Sequence, residues 1–471
     1  MTDIFCGIDF GTTNSSAALA MDGKVRVLPL DEANDNATSL PSLLYITDER
    51  DYILGRRAAN AFIERNVDRE VIVKRVDLGI DIEAYVASEP DKSADYRPVQ
   101  DPSQAPREAL RAHATVEVNS PGRLFQSLKS NLRMSSFRST EVFGVQYQIE
   151  ELVSIILGRM KEKIDRASGQ NVEKAVFGRP VRFSTDPEED AVAERRLHTA
   201  AQLAGFKEID FFYEPVAACV EYAVQTGKRQ RLMVVDIGGG TCDVCVMEFG
   251  GSHGVASRLA ESKILGVAGV PVAGDALDRE IIRDKLFPYF GCRARYGPSN
   301  LPMPQFVFNS LLDWQNLYKL NTEEIINWLI ATEASTDQPK AIRALRSLIQ
   351  RNFGYPIVRK VEQAKKLLST EWEAHLDVRH DAIHIDMVLT RSEFSHLIEA
   401  TLDQMEASIE EAEKSAGVAR DSIDYVLTTG GTCLIPAVRV MLKNRYGEDR
   451  LLHRETFTSV AQGLAVVAQY V

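Results

Sequence analysis

Two short stretches of this chain set an aspartate beside a turn of small residues: "DFGTTN" at 9–14 and "DIGGGTCD" at 236–243. Residues with little or no Cβ bulk let several backbone N–H groups converge on one anion, and such turns can cradle phosphate. The candidates are Gly11, Thr12, Thr13 and Asn14 in the first turn, and Gly238, Gly239, Gly240 and Thr241 in the second. Asp9 and Asp236 lead these turns, and Asp243 follows the second. At about 4 Å a carboxylate and a phosphate repel by roughly 4 kcal/mol in the effective dielectric near a protein surface, so a cation must lie between them. Hydrated Mg²⁺ bridging aspartate and polyphosphate meets that need, with Lys129 as an assisting charge. One such turn alone reads equally well as a plain hairpin. Two in register, facing each other across a cleft, point to a clamp on one nucleotide polyphosphate. A third turn, Gly430, Gly431 and Thr432 in "YVLTTGGTCLIPAVRVML", reads either as a strand-to-helix connection with proline near the first helical turn or as a flat backbone surface for a purine and its ribose.

The elements that must hold these turns repeat as well. "IFCGID", "FGTTN" and "SSAALAM", with "KVRVLPL" as a third strand, have their counterparts in "RLMVVD", "IGGGTCD" and "VCVMEF". A repeat this long means two related halves, not a solenoid. Helical periodicity in "YQIEELVSIILGRMKEKIDRAS" and "RSEFSHLIEATLDQMEASIEEAEKSAG" predicts one long helix in each half. The short buried-type strands "KAVFGRPV" and "IDYVLTTGG" complete an α/β alternation. Residues 75–121, rich in Asp, Pro and Ser, read as a surface excursion and loop, and residues 287–356 read as a second inserted segment.

A formal charge of -12 over 471 residues argues against a nucleic-acid surface. No apolar run is long enough to span a membrane, and the N-terminus breaks too early for a secretory signal. The expectation is a cytoplasmic protein of two to four domains. The six cysteines are too sparse for a disulfide framework. Cys242 and Cys245 form a CxxC, but positions i and i+3 of an extended strand point to opposite faces, so buried strand cysteines are the better reading than a redox or zinc pair.

Taken in order, "GIDFGTTNS", "VVDIGGGTCDV", "YEPVAA", "VEQAKKLLS" and "TTGGTCLIP" resemble the ATPase domain of the seventy-kilodalton heat-shock chaperones, the DnaK type, over nearly the whole chain apart from the inserts. The resemblance implies an α/β, actin-like ATPase fold of two ribonuclease-H-like lobes around a central nucleotide cleft. Lobe I would span 1–231, with a core of 1–39 and 140–231 and an inserted subdomain 40–139; lobe II would span 232–471, with a core of 232–274 and 377–471 and an inserted subdomain 275–376. The helix of "SVAQGLAVVAQYV" would cross the base of the cleft and join them. The family's roles would place ATP or ADP with Mg²⁺ in that cleft. Asp9, Asp236 and Glu214 would hold the waters of the metal, and Thr12, Asn14 and Thr241 would contact phosphates. Lys129, Glu214, Thr241 and Asp243 would position the attacking water, with Lys74 as a rival for the lysine role. Glu362 and Lys365 would bond ribose hydroxyls, Lys366 would lie along the base and Ser369 would bond its edge. Without the family, Glu362, Lys365, Lys366 and Ser369 are one charged face of an amphipathic helix. Pro180 matches the family's hinge proline, with Arg195 or Arg196 as its partner.

Two positions depart from the pattern. Leu434 stands where the family has an arginine on the adenine, and Phe457 where it has an aspartate. The sequence reaches Val471 without the family's peptide-binding domain, so a chaperone role would act through a protein partner, a co-chaperone or a client, or through the inserts. The expected activity is weak ATP hydrolysis. The alternatives are a nucleotide-gated scaffold with little turnover and, against the weight of "YEPVAA" and "VEQAKKLLS", a small-molecule kinase of the same superfamily.

Overall fold

An apolar run that ends in aspartate, turns, and returns as a second apolar run builds the same unit twice. The computed structural model describes residues 4–85, 107–226, 228–251, 257, 261–453 and 458–470. In it β1 (Phe5–Asp9) turns back as β2 (Asn14–Met21) and then β3 (Lys24–Val27), while β4 (Lys174–Arg179) and β5 (Glu208–Tyr213) add in parallel on the other side of β1. Later in the chain β6 (Gln230–Ile237), β7 (Cys242–Phe249) and β8 (Lys263–Val270) make the second meander, with β9 (Tyr425–Thr429) and β10 (Leu451–His453) parallel beside β6. The two orders, β3-β2-β1-β4-β5 and β8-β7-β6-β9-β10, are the same topology. Both phosphate-type turns are therefore the connection from first to second strand of a meander, at the end of each sheet where the aspartate sits.

Helices cover the sheets where their apolar stripes dictate. α1 (Gly55–Asn66) packs on the small sheet of Leu43–Thr47, Tyr52–Leu54 and Gly122–Gln126. α2 (Ile149–Ser168) presents Leu152, Val153, Ile156, Leu157, Met160 and Ile164 to Cys6, Ile8 and Phe177 of the first sheet. It starts at a reciprocal Gln148–Glu151 box and stops at Gly169, whose φ of 73° suits glycine. α3 (Glu214–Thr226) rests on the second sheet through Val216 to Val220 against Leu232, Val234 and Cys245. α4 (Gly274–Ile281) and α5 (Gly354–Leu367) belong to the second sheet's core, and α6 (Ser459–Val467) closes the chain. Ala461 and Ala465 of α6 pack on Ala18 and Ala20 of β2, and its other side meets α3. A Cβ on Gly463 would lie 1.8 Å from the Ala217 carbonyl oxygen, so these two helices touch backbone to backbone. Through that contact α6 ties the first sheet to the helix that covers the second.

Two sequence expectations change. The predicted long helix at 391–417 is two, Arg391–Leu397 and Glu399–Ala416, joined at Ile398 with φ -97° and ψ 3°. No glycine or proline marks this break; Ile398 is fully buried, and the kink lets Phe394 and the stripe of Met405, Ile409 and Ala412 reach one core. Residues 75–121 are not simply loop: Val73–Tyr85 pairs antiparallel with Arg107–Glu117 as a two-stranded ribbon. Its alternation is hard to read because both faces of a lone ribbon meet solvent, and Ile72, Val76, Val116 and Val118 are exposed. The Asp- and Pro-rich centre, residues 86–106, lies outside the described residues. Residues 287–356, the second inserted segment, pack inward: Met303, Val307, Phe308, Leu317 and Leu345 share one core with Val235 and Val244 of the second sheet.

The two inserted regions also meet. Phe62 of α1 packs edge-on against Trp314 and Tyr355, both at 5.3 Å between ring centres, with Tyr45 behind it. The Asn352 amide donates to the Asn66 carbonyl (3.2 Å) and the Asp68 N–H to the Arg351 carbonyl (2.9 Å). Cys242 and Cys245 are free and buried on opposite faces of β7, as an extended strand requires. Among the described residues no helix is long and apolar enough to cross a membrane.

Candidate functional site

A cavity of about 1070 Å³ gathers both turns. Its walls include Asp9 to Asn14 apart from Phe10, Lys129, Glu214, Asp236, Gly238 to Thr241, Glu362, Lys365, Lys366, Ser369 and Gly430 to Thr432. Of the candidate metal, phosphate and nucleoside residues, Asp243 alone stands behind the wall, 2% exposed, directly across from Asp236 in the β6–β7 register. Phe457 lies outside the described residues. The rival lysine, Lys74, is exposed on the ribbon.

Each turn is braced from behind so that its N–H side faces the cavity. In the second turn the Gly238 N–H donates to the Thr241 carbonyl (3.0 Å). The Gly238 carbonyl accepts from Thr432 Oγ1 (2.7 Å) and from the Gly274 N–H (3.2 Å), and the Gly239 carbonyl from the Asp275 N–H (2.8 Å). With those carbonyls occupied, the N–H groups of Gly239, Gly240 and Thr241 have no acceptor among the described residues. A Cβ on Gly239 would lie 2.0 Å from Thr13 Oγ1, so glycine there is what lets the two turns face each other. The first turn is held by Ser42, whose Oγ donates to the Gly11 carbonyl (2.8 Å) and whose N–H donates to the Thr13 carbonyl (2.9 Å). Thr13 Oγ1 itself is buried without a partner among the described residues.

Charge is concentrated at one point. Lys129 Nζ lies 2.5 Å from Glu214 Oε1, both side chains under 10% exposed, with Asp9, Asp236 and Asp243 close enough to couple to them. Burial, reinforced by Glu214, pushes the Asp9 carboxyl up to about 7, and burial with Glu214 pushes Asp243 up to about 7 as well. Asp236 is raised by burial, then by Glu214, Asp243 and Asp9. Burial by itself would lower Lys129, but Glu214 and Asp9 outweigh it and hold the ammonium protonated. Four carboxylates thus share one fixed cation. A hard divalent cation fits this excess, and the donors are the oxygens that Mg²⁺ prefers. Among the described residues no group of three or more His, Cys, Asp or Glu side chains converges on a common metal position.

The nucleoside end is more committed to internal contacts than the sequence suggested. Lys365 Nζ is bound to Asp278 Oδ2 (2.7 Å) and to the Gly274 carbonyl (2.9 Å), and Lys366 Nζ reaches Glu362 (2.6 Å) from a mostly solvated position. Thr432 spends its hydroxyl on clipping the third turn to the second. Gly430, with φ 83°, has its Cβ direction against the Ile237 carbonyl at 2.2 Å. Leu434 lines the cavity beside Ile435 and Val460, giving this end an aliphatic wall.

The expected hinge pair is not formed, and other residues take structural roles that carried no motif in the sequence. Arg196 donates to the carbonyls of Leu132, Met134 and Phe137, fixing the loop that follows Lys129. Pro180 instead has Arg179 at hand, whose Nε donates to the Pro180 carbonyl (3.2 Å) while its guanidinium pairs with Asp190 and Glu194. The Val181 N–H donates to Asp243 Oδ1 (2.8 Å), connecting the end of β4 to the second sheet. Asp278, a single aspartate on an amphipathic helix, offered no spacing by which to find it.

A family model described as Hsp70 protein matches residues 115–263 and 323–470. Among curated proteins the chain is 24% identical over 462 residues to a chaperone protein dnaK of Gracilaria tenuistipitata var. liui, covering 98% of this chain and 59% of that one. It is 25% identical over 462 residues to the chloroplastic heat shock 70 kDa protein 7 of Arabidopsis thaliana (98% and 51%), and 25% identical over 470 residues to the chaperone protein DnaK of Thermus thermophilus (98% and 60%). The chain therefore spans between half and three fifths of the length of these relatives.

Proposed function

The chain belongs to the Hsp70 family, and from that premise we propose that it is an ATPase unit that binds ATP with Mg²⁺, hydrolyses it slowly and changes the closure of two lobes. The lobes are the two ribonuclease-H-like halves built on the β1 and β6 meanders, with boundaries at 1–231 and 232–471 and inserted subdomains at 40–139 and 275–376. The observation that carries this reading is the pair of opposed turns with Lys129 at their junction, paired to the buried Glu214 and set among Asp9, Asp236 and the buried Asp243.

In this reading the N–H groups of Gly239, Gly240 and Thr241, with the hydroxyls of Thr12 and Thr13 and with Asn14, receive the phosphate oxygens. Asp9, Asp236 and Glu214 would hold the metal through water, and Mg²⁺, when bound, supplies the charge that offsets carboxylate against phosphate. Lys129 faces the terminal phosphate and stabilises the charge that spreads over it as the bond to the leaving oxygen breaks. Glu214 fixes Lys129, and Asp243, held by the Val181 N–H behind the wall, orients Thr241, which lines the cavity where the attacking water would stand. Because Asp243 is also held by the end of β4 next to Pro180, a change at the phosphate is felt across both sheets, a physical route from nucleotide state to lobe closure. Glu362, Lys365, Lys366 and Ser369 flank the sugar and base, with Gly430 to Thr432 as the flat side. A co-chaperone or client protein, met in the cytoplasm, would read the closure.

Single-turnover hydrolysis of labelled ATP with Mg²⁺ tests this, beside calorimetric binding of ATP and ADP. Slow phosphate release that falls at least about 100-fold in Lys129→Ala and Thr241→Ala, with ADP still bound, is the expected result. Tight binding without release favours the nucleotide-gated scaffold, and absence of binding refutes the reading.

A further inference from the structure

We propose that the ribbon of Val73–Tyr85 and Arg107–Glu117 is a docking template for an extended segment of a partner protein, aliphatic and acidic in composition, which adds to the ribbon's free edge as a third strand. The amphipathicity of the ribbon is inverted. Opposed residues of an antiparallel pair share a face, so the pairs Lys74–Val116 and Val76–Ala114, with the Val118 N–H donating to the Ile72 carbonyl (2.9 Å), set Ile72, Val76, Val116 and Val118 on one side. All four are between 42% and 48% exposed. The opposite side carries Val73, Thr115 and Glu117, all half-buried, with Glu117 paired to Arg69. A ribbon stabilised by its own chain alone would turn its aliphatic face inward; this one holds it outward, in rows about 7 Å apart along the strands and about 5 Å across, as one contiguous patch. None of these residues lines the cavity of the two turns, and residues 72–114 precede the stretch matched by the Hsp70 model, so neither the nucleotide nor the family match accounts for the exposed face.

The backbone makes the occupant a strand. Because Ile72 and Val118 form a hydrogen-bonded pair, the alternation of an antiparallel ladder turns the N–H and C=O groups of Val73 and Arg75 away from the second ribbon strand. At the base of that edge the Val71 carbonyl accepts from the Asn321 amide (2.9 Å), and beyond it no strand pairs with the edge among the described residues. An open edge takes an added strand, whose backbone hydrogen bonds supply affinity while its alternate side chains read the face. Charge makes the occupant acidic, and a different protein from this one. Lys74, in the middle of the aliphatic face, and Arg75 beside it have no ion-pair partner among the described residues. Two copies joined edge to edge here would bring these cations together, and like charges on opposed strands destabilise the pairing. A strand laid against residues 72–76 therefore presents aliphatic side chains to Ile72 and Val76 and carboxylates to Lys74 and Arg75.

Fluorescence anisotropy on the full chain tests this with labelled peptides whose core is valine-glutamate-glutamate-threonine-valine, or the same core with lysine for glutamate. The wild type should bind the glutamate peptide about 10-fold or more tightly than the lysine peptide. The double variant Lys74→Glu, Arg75→Glu should reverse that order. Val76→Thr and Val116→Thr, which keep a strand-forming residue while removing apolar surface, should each weaken binding of the glutamate peptide about fivefold. The charge reversal alters exposed side chains alone, so it keeps the test decisive if a threonine variant unfolds. No binding of the glutamate peptide up to about 1 mM, equal affinity for the two peptides, or an order that the double variant leaves unchanged overturns the assignment. Sedimentation of the wild type as a dimer that Val116→Thr dissociates overturns it too, because the occupant is then a second copy of this chain.

Discussion

Replacing Phe62 by alanine should open the cavity more than it weakens the fold. Phe62 is 5% exposed, and a buried Phe→Ala change costs about 3–5 kcal/mol in total. Two of its three ring partners, Trp314 and Tyr355, lie on the other inserted region, and only Tyr45 lies on its own side. If the loss divides in that proportion, about 2–3 kcal/mol of it belongs to the contact between the two regions. Trp314 also lines the cavity, so that contact must part for a nucleotide held between the regions to leave. Lowering the barrier to parting by that amount speeds release by about 30- to 150-fold. Displacement of a fluorescent ADP by excess unlabelled ADP in a stopped-flow instrument measures the rate, and urea unfolding of the same variant measures the fold. The hydrogen bonds from Asn352 to Asn66 and from Asp68 to Arg351 remain, so closure keeps its register. A variant that loses the full 3–5 kcal/mol of stability yet releases ADP within threefold of wild type would refute the reasoning: the aromatic cluster would then belong to one rigid body and gate nothing.

Two further changes probe the frame that holds the site. Gly463→Ala places a methyl 1.8 Å from the Ala217 carbonyl oxygen, which forces α6 away from α3 and should destabilise the chain by about 3 kcal/mol in a urea titration; an unchanged midpoint would mean that the helices do not meet so closely. Arg445, its side chain 5% exposed, pairs with Glu413 at 2.5 Å, so Arg445→Met should cost about 3 kcal/mol, while the more exposed Glu410 contributes little. Burial pushes the Glu413 carboxyl up, but Arg445 and Tyr446 outweigh it and hold it below the usual glutamate value of 4.5. The sign follows: this stabilisation is complete above about pH 4.5 and is lost as pH falls through the lowered pKa. Thermal melts from pH 6 to pH 3 should show that acid loss in the wild type and a smaller one in Arg445→Met; parallel curves would show that the pair does not carry it.

What could be read in the sequence and what could not separates along physical lines. The phosphate turns were legible because their constraint is local: an aspartate at a strand end, glycines where a Cβ would strike Thr13, and a returning apolar strand all fall within about a dozen residues, and the unit occurs twice. Sequence context favours Lys129 over Lys74, and the fold encloses the first among carboxylates and leaves the second exposed on a ribbon. The ribbon itself was read as loop because alternation signals a strand only when one face is buried. Asp278 and the cluster of Phe62, Trp314 and Tyr355 were illegible for the opposite reason. Nothing near Asp278 in sequence distinguishes it from any solvated helical aspartate; its burial and its partner Lys365, 87 residues away, appear only in the fold. Phe62 acquires partners only when two insertions fold toward each other. Turns are thus written in short motifs, whereas the pairing of Asp278 with Lys365 and of Phe62 with Trp314 and Tyr355 joins residues far apart in the chain, and no window of sequence short enough to read as a motif contains both partners.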